Sequence, residues 1–338
     1  MKSPIKVRLF FRRANPTGNV SIENSFEEMA NNFPKNSRLE LDFFRSSFYS
    51  IGFWQRFKAI FEVRKNQSQI NHVTGDTNFF TLGLPKKKTV LTIHDCGFLD
   101  NKNPLAKWIL KIFWLKLPVQ NCQILTVVSQ ATKQDILKYT RCNPEKIVVI
   151  PTVIKSNFKH NFKAFSSSYP TLLHIGNSPN KNLERHAQAI AGLPCKFHVI
   201  GKINDDQISL IKHLNIDFKN SVNLTDEAMF EAYSEADILL FCSTIEGFGM
   251  PILEAQTVGR VVVTSNISAM PEVAGDGACF VDPLSTKAIR AGIEQVLSNK
   301  NYRNSLITNG LKNIERFSPK TVARQYEAVY ETIFSMNQ

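Results

Sequence analysis

An α/β fold in two parallel-sheet domains is predicted by three observations. Short β-branched runs alternate with amphipathic stretches along the whole chain. The 338 residues give length for two domains of ordinary size. A polar, weakly periodic stretch from Pro151 to Pro170 divides the two sets of runs. Hydrophobic residues make up 43%, enough for packed cores, which excludes a disordered chain. No apolar run approaches the ~20 residues of a membrane-spanning helix.

In the first set, strands are expected at Val7–Phe11, Leu39–Phe43, Ile70–Thr74, Thr89–Ile93, Ile124–Val128 and Ile147–Ile150. Each is brief and rich in Val, Ile, Leu or Phe, as buried parallel strands are. Helices are expected between them, at Ser21–Asn32, Pro104–Leu115 and Gln130–Tyr139. The second set repeats the pattern at Thr171–Ile175, Phe197–Ile200, Ile238–Phe241 and Val261–Thr264. Ser318, followed by Pro319, is an N-cap signal for a closing helix to Phe334. The expected division is a first domain at 1–155, a linker at 156–170, a second domain at 171–317 and the helix at 318–338. Two such domains place a ligand in a cleft at the carboxyl ends of their strands.

The net charge is +12 and is unevenly spread. Residues 1–150 carry 23 Lys and Arg against 11 Asp and Glu, and the remainder carries 18 of each. A basic first domain implies an anionic partner: a membrane surface, a nucleic acid or an anionic substrate. No helix-turn-helix, zinc-finger or RNA-binding signature is present, so no nucleic acid is expected. Six scattered cysteines without a C-x-x-C pair read as reduced, structural residues. The basic start, Met1 to Arg13, lacks an h-region and a cleavage site, which implies a cytoplasmic protein.

The segment from Ile238 to Ala255 carries the most chemistry. A buried strand ends near Cys242, a loop holds Gly247 and Gly249, and Pro251 opens a helix. Glycines admit a ligand close to the backbone, and a helix start offers free N–H groups. Glu246 lies in the loop, and Glu254 lies on a largely apolar first turn. A carboxylate there needs donors, and sugar hydroxyls are such donors. A solvated loop glutamate and an exposed helix glutamate are the plain alternative.

Glu246-Gly-Phe-Gly-Met-Pro-Ile-Leu-Glu-Ala resembles the signature of glycosyltransferase family 4, retaining enzymes of the GT-B fold, at every specified position. The resemblance implies two Rossmann-like parallel-sheet domains facing a central cleft, with a C-terminal helix crossing back to the first domain. It implies that Glu246 lies by the transferred sugar and that Glu254 accepts bonds from the nucleotide ribose. Gly247, Phe248, Gly249, Met250 and Leu253 would complete that wall of the donor site. Leu172-Leu-His-Ile-Gly-Asn-Ser-Pro-Asn-Lys-Asn is similar to the family's strand, turn and helix, in which Lys181 would bind phosphate. Many members carry an arginine where this chain has Asn177, so the phosphate clamp has one cation fewer there. The backbone from Val222 to Leu224 would meet the base. His94, at the tip of the Thr89–Ile93 strand, takes the role of the family's reaction-centre histidine, with Asp95 orienting it. Gly18 would face the donor; Asn19, Ser21, His72, Asp76 and Asp95 are acceptor-side candidates.

The implied reaction is retaining transfer from a UDP-sugar or GDP-sugar to a glycan, of which a lipid-linked glycan is the expected form in surface polysaccharide synthesis. His94, Glu246 and Lys181 are the expected catalytic residues. No Asp-x-Asp motif lies in a suitable loop, so no cofactor and no metal are expected. Other readings are an inactive nucleotide-sugar binder, a basic nucleic-acid or membrane module, and a phosphorylase or epimerase relative. Aromatics and cations interleave at Phe53–Lys65 and at 102–116. Such helices suit either an anionic membrane interface, at the inner face of the cytoplasmic membrane, or ordinary core packing.

Overall fold

The computed structural model describes residues 4–13, 21–100 and 103–338. It divides into two compact units, 1–155 with 317–338, and 156–316. In the first unit β1 (Ile5–Phe11) leads to α1 (Ser21–Asn31), β2 (Leu39–Arg45), α2 (Phe53–Lys65), β3 (Ile70–Val73) and β4 (Thr89–Ile93). Then come α3 (Pro104–Leu110), a π-helical stretch (Lys111–Lys116), α4 (Leu117–Gln120), β5 (Ile124–Val127), α5 (Gln130–Tyr139) and β6 (Ile147–Val149). The second unit holds β7 (Thr171–Ile175), α6 (Leu183–Ile190), β8 (Lys196–Ile200), α7 (Asp205–His213), β9 (Asp217–Ser221), α8 (Asp226–Glu235) and β10 (Ile238–Phe241). It continues with α9 (Met250–Val258), β11 (Val261–Ser265), α10 (Met270–Ala274), β12 (Cys279–Val281), α11 (Thr286–Ser298) and α12 (Lys300–Asn313). The last helix, α13 (Pro319–Ser335), returns to the first unit.

Among the described residues each sheet has six strands, all paired parallel. The first runs β2-β1-β3-β4-β5-β6, so its order reverses between β1 and β3. The second runs β12-β11-β10-β7-β8-β9 and reverses between β10 and β7. Loops at the carboxyl ends of strands at such a reversal splay apart and leave room for a ligand.

The strand periodicity explains the core. In β1, Val7, Leu9 and Phe11 enter one apolar cluster with α1 and α13, while Phe10 enters the other with α2, β4 and β5. On α13, Val322, Tyr326, Val329, Tyr330 and Ile333 form the buried stripe. Ser318 Oγ caps that helix by accepting from the Thr321 N–H, and Arg38 pairs with Glu331 on its outer side. The stretch expected as a linker is packed onto the second sheet. Phe158 lies edge-on to Tyr233, and the Asp237 carboxylate pairs with Lys163 while accepting from the Ser166 and Thr171 N–H groups.

Candidate functional site

The second sheet brings the loop after β7 beside the loop after β10. Gly176 turns the first with φ +96, a value that L side chains rarely adopt. A Cβ there would meet Lys181 Cγ at 2.8 Å, so the missing side chain is what lets the Lys181 stem lie against the turn. Its ammonium passes 4.8 Å from the Phe241 ring centre and ends 2.7 Å from Glu246 Oε1. Both partners are mostly covered, at 20% and 13% side-chain exposure, so the pair is only partly screened by water. Asn180 Nδ2 donates to the Ile245 carbonyl, and the Asn180 carbonyl accepts from the Thr244 N–H. Asn182, buried with φ +67, donates to the carbonyls of Cys242 and Pro283. The Glu246 backbone exchanges two hydrogen bonds with Ser268 Oγ. Both loops are therefore tied to each other and to the sheet before any ligand arrives.

Gly249, at φ +114, turns the chain into α9, and no side chain caps that helix. Its first-turn amides lie beside the Lys181–Glu246 loop, a ready arrangement for anionic oxygens. Glu254 is half-buried, and its Oε2 accepts from the Tyr233 hydroxyl at 2.6 Å. Burial and that carboxylate hold the Tyr233 phenol well above its ordinary range. Phe248 is buried. Leu253 is wholly buried, so its side chain packs the helix onto the core and does not line an open surface. Met250 is half-buried at the helix start. Val222 is exposed and Leu224 half-buried just beyond β9, with Asn223 between them at φ +52. The exposed Asn177 donates its amide to the backbone carbonyl of Lys202, itself an exposed residue, which pins the β7 turn to the loop after β8.

Two histidines under this loop form a directed chain. The Cys242 N–H donates to His186 Nε2 at 3.2 Å, so that nitrogen carries no proton. His186 Nδ1–H then faces His174 Nδ1 at 2.8 Å, and His174 Nε2–H donates to the Gly176 carbonyl at 2.7 Å. Both rings are fully buried, and burial holds both neutral; His174 is pushed down to about 4. The chain joins the end of β10 to the glycine turn after β7. The role of His186 is not legible in the sequence, because a histidine on a helix carries no local signal of a partner in the next strand.

In the first unit, His94 stands at the carboxyl end of β4 and donates Nε2–H to the Thr74 carbonyl at 2.8 Å. In the neutral ring this leaves Nδ1 as the acceptor nitrogen. Gly75, at φ +122, makes room for the ring, since a Cβ would meet His94 Cδ2 at 2.5 Å. Asp95 does not orient His94; its carboxylate accepts from the Gly97 N–H. His72 is likewise not an acceptor-side residue. It is fully buried, with Nδ1 on Tyr330 OH and Nε2 on Thr92 Oγ1, both at 2.7 Å, and burial pushes it down to about 3. Asp76 is half-exposed and pairs with Arg12, which also holds Glu23. Ser21 opens α1. Gly18 and Asn19 lie outside the described residues.

The aromatic, basic helices pack one narrow face on the core, with Ala59, Val63 and Leu115, and leave most of their large apolar side chains exposed. On α2 the buried side chains are Ala59 and Val63, while Phe53 and Trp54 are about 70% exposed and Phe57 and Phe61 extend the same ridge. Leu105, Trp108, Ile109 and Phe113 are exposed on α3 and its π-helical continuation. The Arg56 guanidinium stacks on Trp114 at 4.5 Å and joins the two helices. No described helix is long and apolar enough to cross a membrane. Among the described residues no group of three or more His, Cys, Asp or Glu is placed to hold a metal ion.

Two family models match in succession: "Glycosyltransferase Family 4" over residues 24–158 and "Glycosyl transferases group 1" over 155–313. The serotype-specific mannosyltransferase WbdA of Escherichia coli is 24% identical over 280 residues, covering 74% of this chain and 34% of its own length. The O-antigen chain mannosyltransferase RfbU of Salmonella typhimurium is 29% identical over 230 residues, covering 65% of this chain and 64% of its own. The chain thus spans about a third of the length of WbdA. In fold, it matches Anabaena HepE, solved with UDP and glucose, at TM-score 0.75 and 14% identity, over 97% of this chain and 100% of that one.

Proposed function

Because this chain belongs to glycosyltransferase family 4, with the GT-B fold, we propose that it transfers a hexose, with retention, from a nucleotide-diphosphate sugar to a growing surface glycan. The observation that carries this reading is the Lys181–Glu246 pair, held beside the uncapped start of α9 at the reversal of the second sheet. A diphosphate would draw the Lys181 ammonium and the α9 amides to its oxygens, where they stabilise the charge that grows as the sugar departs. The freed Glu246 carboxylate would take the hydroxyls of the sugar. Glu254 would accept from the ribose, with Tyr233 holding its other side. The acceptor hydroxyl would attack from the face that the diphosphate leaves, passing its proton to a diphosphate oxygen. His94 would accept a sugar hydroxyl at Nδ1. Lys202, set beside Asn177, would supply the cation absent at position 177. No divalent cation is needed in this scheme. WbdA and RfbU are mannosyltransferases, which favours mannose as the transferred hexose, and HepE binds UDP, which makes UDP the first base to test beside GDP.

Thermal melting with UDP, GDP, ADP and their sugars, with and without EDTA, tests this reading. A ligand at 100 times its Kd stabilises the fold by about 2.7 kcal/mol. We expect one nucleotide to raise the melting temperature in EDTA and to lose that effect in Glu254→Ala and Lys181→Ala. No shift with any nucleotide overturns the transferase reading.

We further propose a lipid-linked acceptor, with the first domain resting on the anionic inner face of the cytoplasmic membrane. The exposed ridge of Phe53, Trp54, Phe57 and Trp108, flanked by lysines and arginines, supports this reading. Co-sedimentation with phosphatidylglycerol vesicles at low salt tests it; a protein left in the supernatant sinks it.

A further inference from the structure

At the amino-terminal edge of the first sheet, opposite the end that bears His94, lies a cavity of about 350 Å³. Its lining includes Lys86, just before β4, Lys116 and Gln120, before β5, and Arg141, Asn143 and Lys146, before β6. No carboxylate lines it, and none of these four cations belongs to an ion pair among the described residues. Lys146 Nζ donates to the Val119 carbonyl, which fixes one charge in the wall. Lys111 and Lys138 flank the Tyr139 ring next to it, at 5.6 and 5.5 Å. The positive field reaches inward, since Lys146 and Lys86 pull down the thiol of the buried Cys122 against the stronger effect of burial.

Like charges gathered around one concavity repel, and surfaces ordinarily intersperse signs to avoid this. An anion carrying more than one charge relieves the repulsion. We propose that this cavity binds a phosphate ester. The phosphoryl group offers up to two charges and three acceptor oxygens. Arg141 can hold two of them at once, the lysines act as point charges, and the Gln120 and Asn143 amides add donors. The ester is either a soluble phosphate or the headgroup of a membrane lipid. Lys116 ends the helical run that also exposes Leu105, Trp108, Ile109 and Phe113, so a headgroup would sit where that apolar ridge meets a bilayer. The site is independent of the donor loops of the second unit.

The test is hydrogen exchange of the whole protein with inorganic pyrophosphate in one arm and, in the other, vesicles containing phosphatidic acid, whose headgroup is a phosphate monoester. The comparison protein is Lys116→Glu/Arg141→Glu, which without ligand should melt at or above the wild-type temperature because repulsion is relieved. In the wild type we expect protection of residues 116–120 and 140–146 with at least one probe, weakening as salt rises, and its loss in the variant. Protection by pyrophosphate alone identifies a soluble ester, and protection by vesicles, with or without pyrophosphate, a headgroup. Exchange at residues 176–182 reports binding at Lys181 separately. A Trp54→Ser/Trp108→Ser protein that leaves vesicles yet keeps its pyrophosphate protection separates this cavity from the apolar ridge. No protection with either probe, or equal protection in the charge-reversed protein, overturns the proposal.

Discussion

At Gly176 one absent Cβ sets the position of a charge. The turn needs a positive φ, and the Lys181 stem occupies the space a side chain would fill. Gly176→Ala should destabilise the fold by about 1–2 kcal/mol through backbone strain. It should weaken nucleotide-diphosphate binding at least tenfold by displacing the ammonium; calorimetric titration checks this, and unchanged affinity rejects it. The histidine chain beneath makes a different prediction. Burial holds His174 down to about 4 in the folded protein, against an ordinary value near 6.5. The unfolded state therefore binds more protons between these values. The stability that neutral His174 contributes is full above pH 6.5 and is lost as pH falls toward 4, a change of about 3 kcal/mol. Lys181 and Glu184 are the charged groups that act on the ring, and they oppose each other. Urea unfolding across this range should show the loss, and His174→Gln/His186→Gln should flatten it. An unaltered slope in that variant removes the pair from the account.

At the scale of elements, α2 shows how far a helical pattern can be read. The aromatic face and the cations are visible in the sequence, but which face is buried is not. The tertiary fold chooses Ala59 and Val63, whose small side chains let the helix approach the residues after β3, and leaves the bulky rings in solvent. Trp54→Ser/Phe57→Ser should therefore change stability by no more than about 0.5 kcal/mol, as surface substitutions do. The same variant should lose most of its vesicle binding. A large loss of stability in chemical denaturation would mean that the rings are packed after all. The edge strand β9, Asp217–Ser221, shows the reverse case. Its polar composition hid it because only a strand buried on both faces reads as an apolar run.

At the scale of the molecule, α13 is remote in sequence from the sheet it completes. Its Tyr330 hydroxyl holds His72, which holds Thr92, whose hydroxyl meets Thr126 at 2.6 Å. This buried polar line crosses β3, β4 and β5 and locks the last helix to the first sheet. Tyr330→Phe leaves His72 Nδ1 without a partner in the core and should cost about 1–3 kcal/mol. Chemical denaturation checks this; a neutral substitution would show that the line does not hold the helix.

The α/β class, most strand positions, the glycine-bearing loop with Glu246 and Glu254, and the capped closing helix were all legible in the chain. Each of these depends on local rules: periodicity, glycine conformations and capping. The placement of His94 at a strand end also followed from the run before it. What His72 does follows from the fold alone, because a histidine's role rests on which partners the sheet brings to its two nitrogens. The fold decided that Asp95 caps a turn, that Leu253 is core, and that His186 supports the donor loop from below. It also gathered Lys86, Lys116, Arg141 and Lys146 around one cavity. Charges separated by dozens of residues interact only after parallel pairing sets strand ends side by side, and no local pattern encodes that pairing.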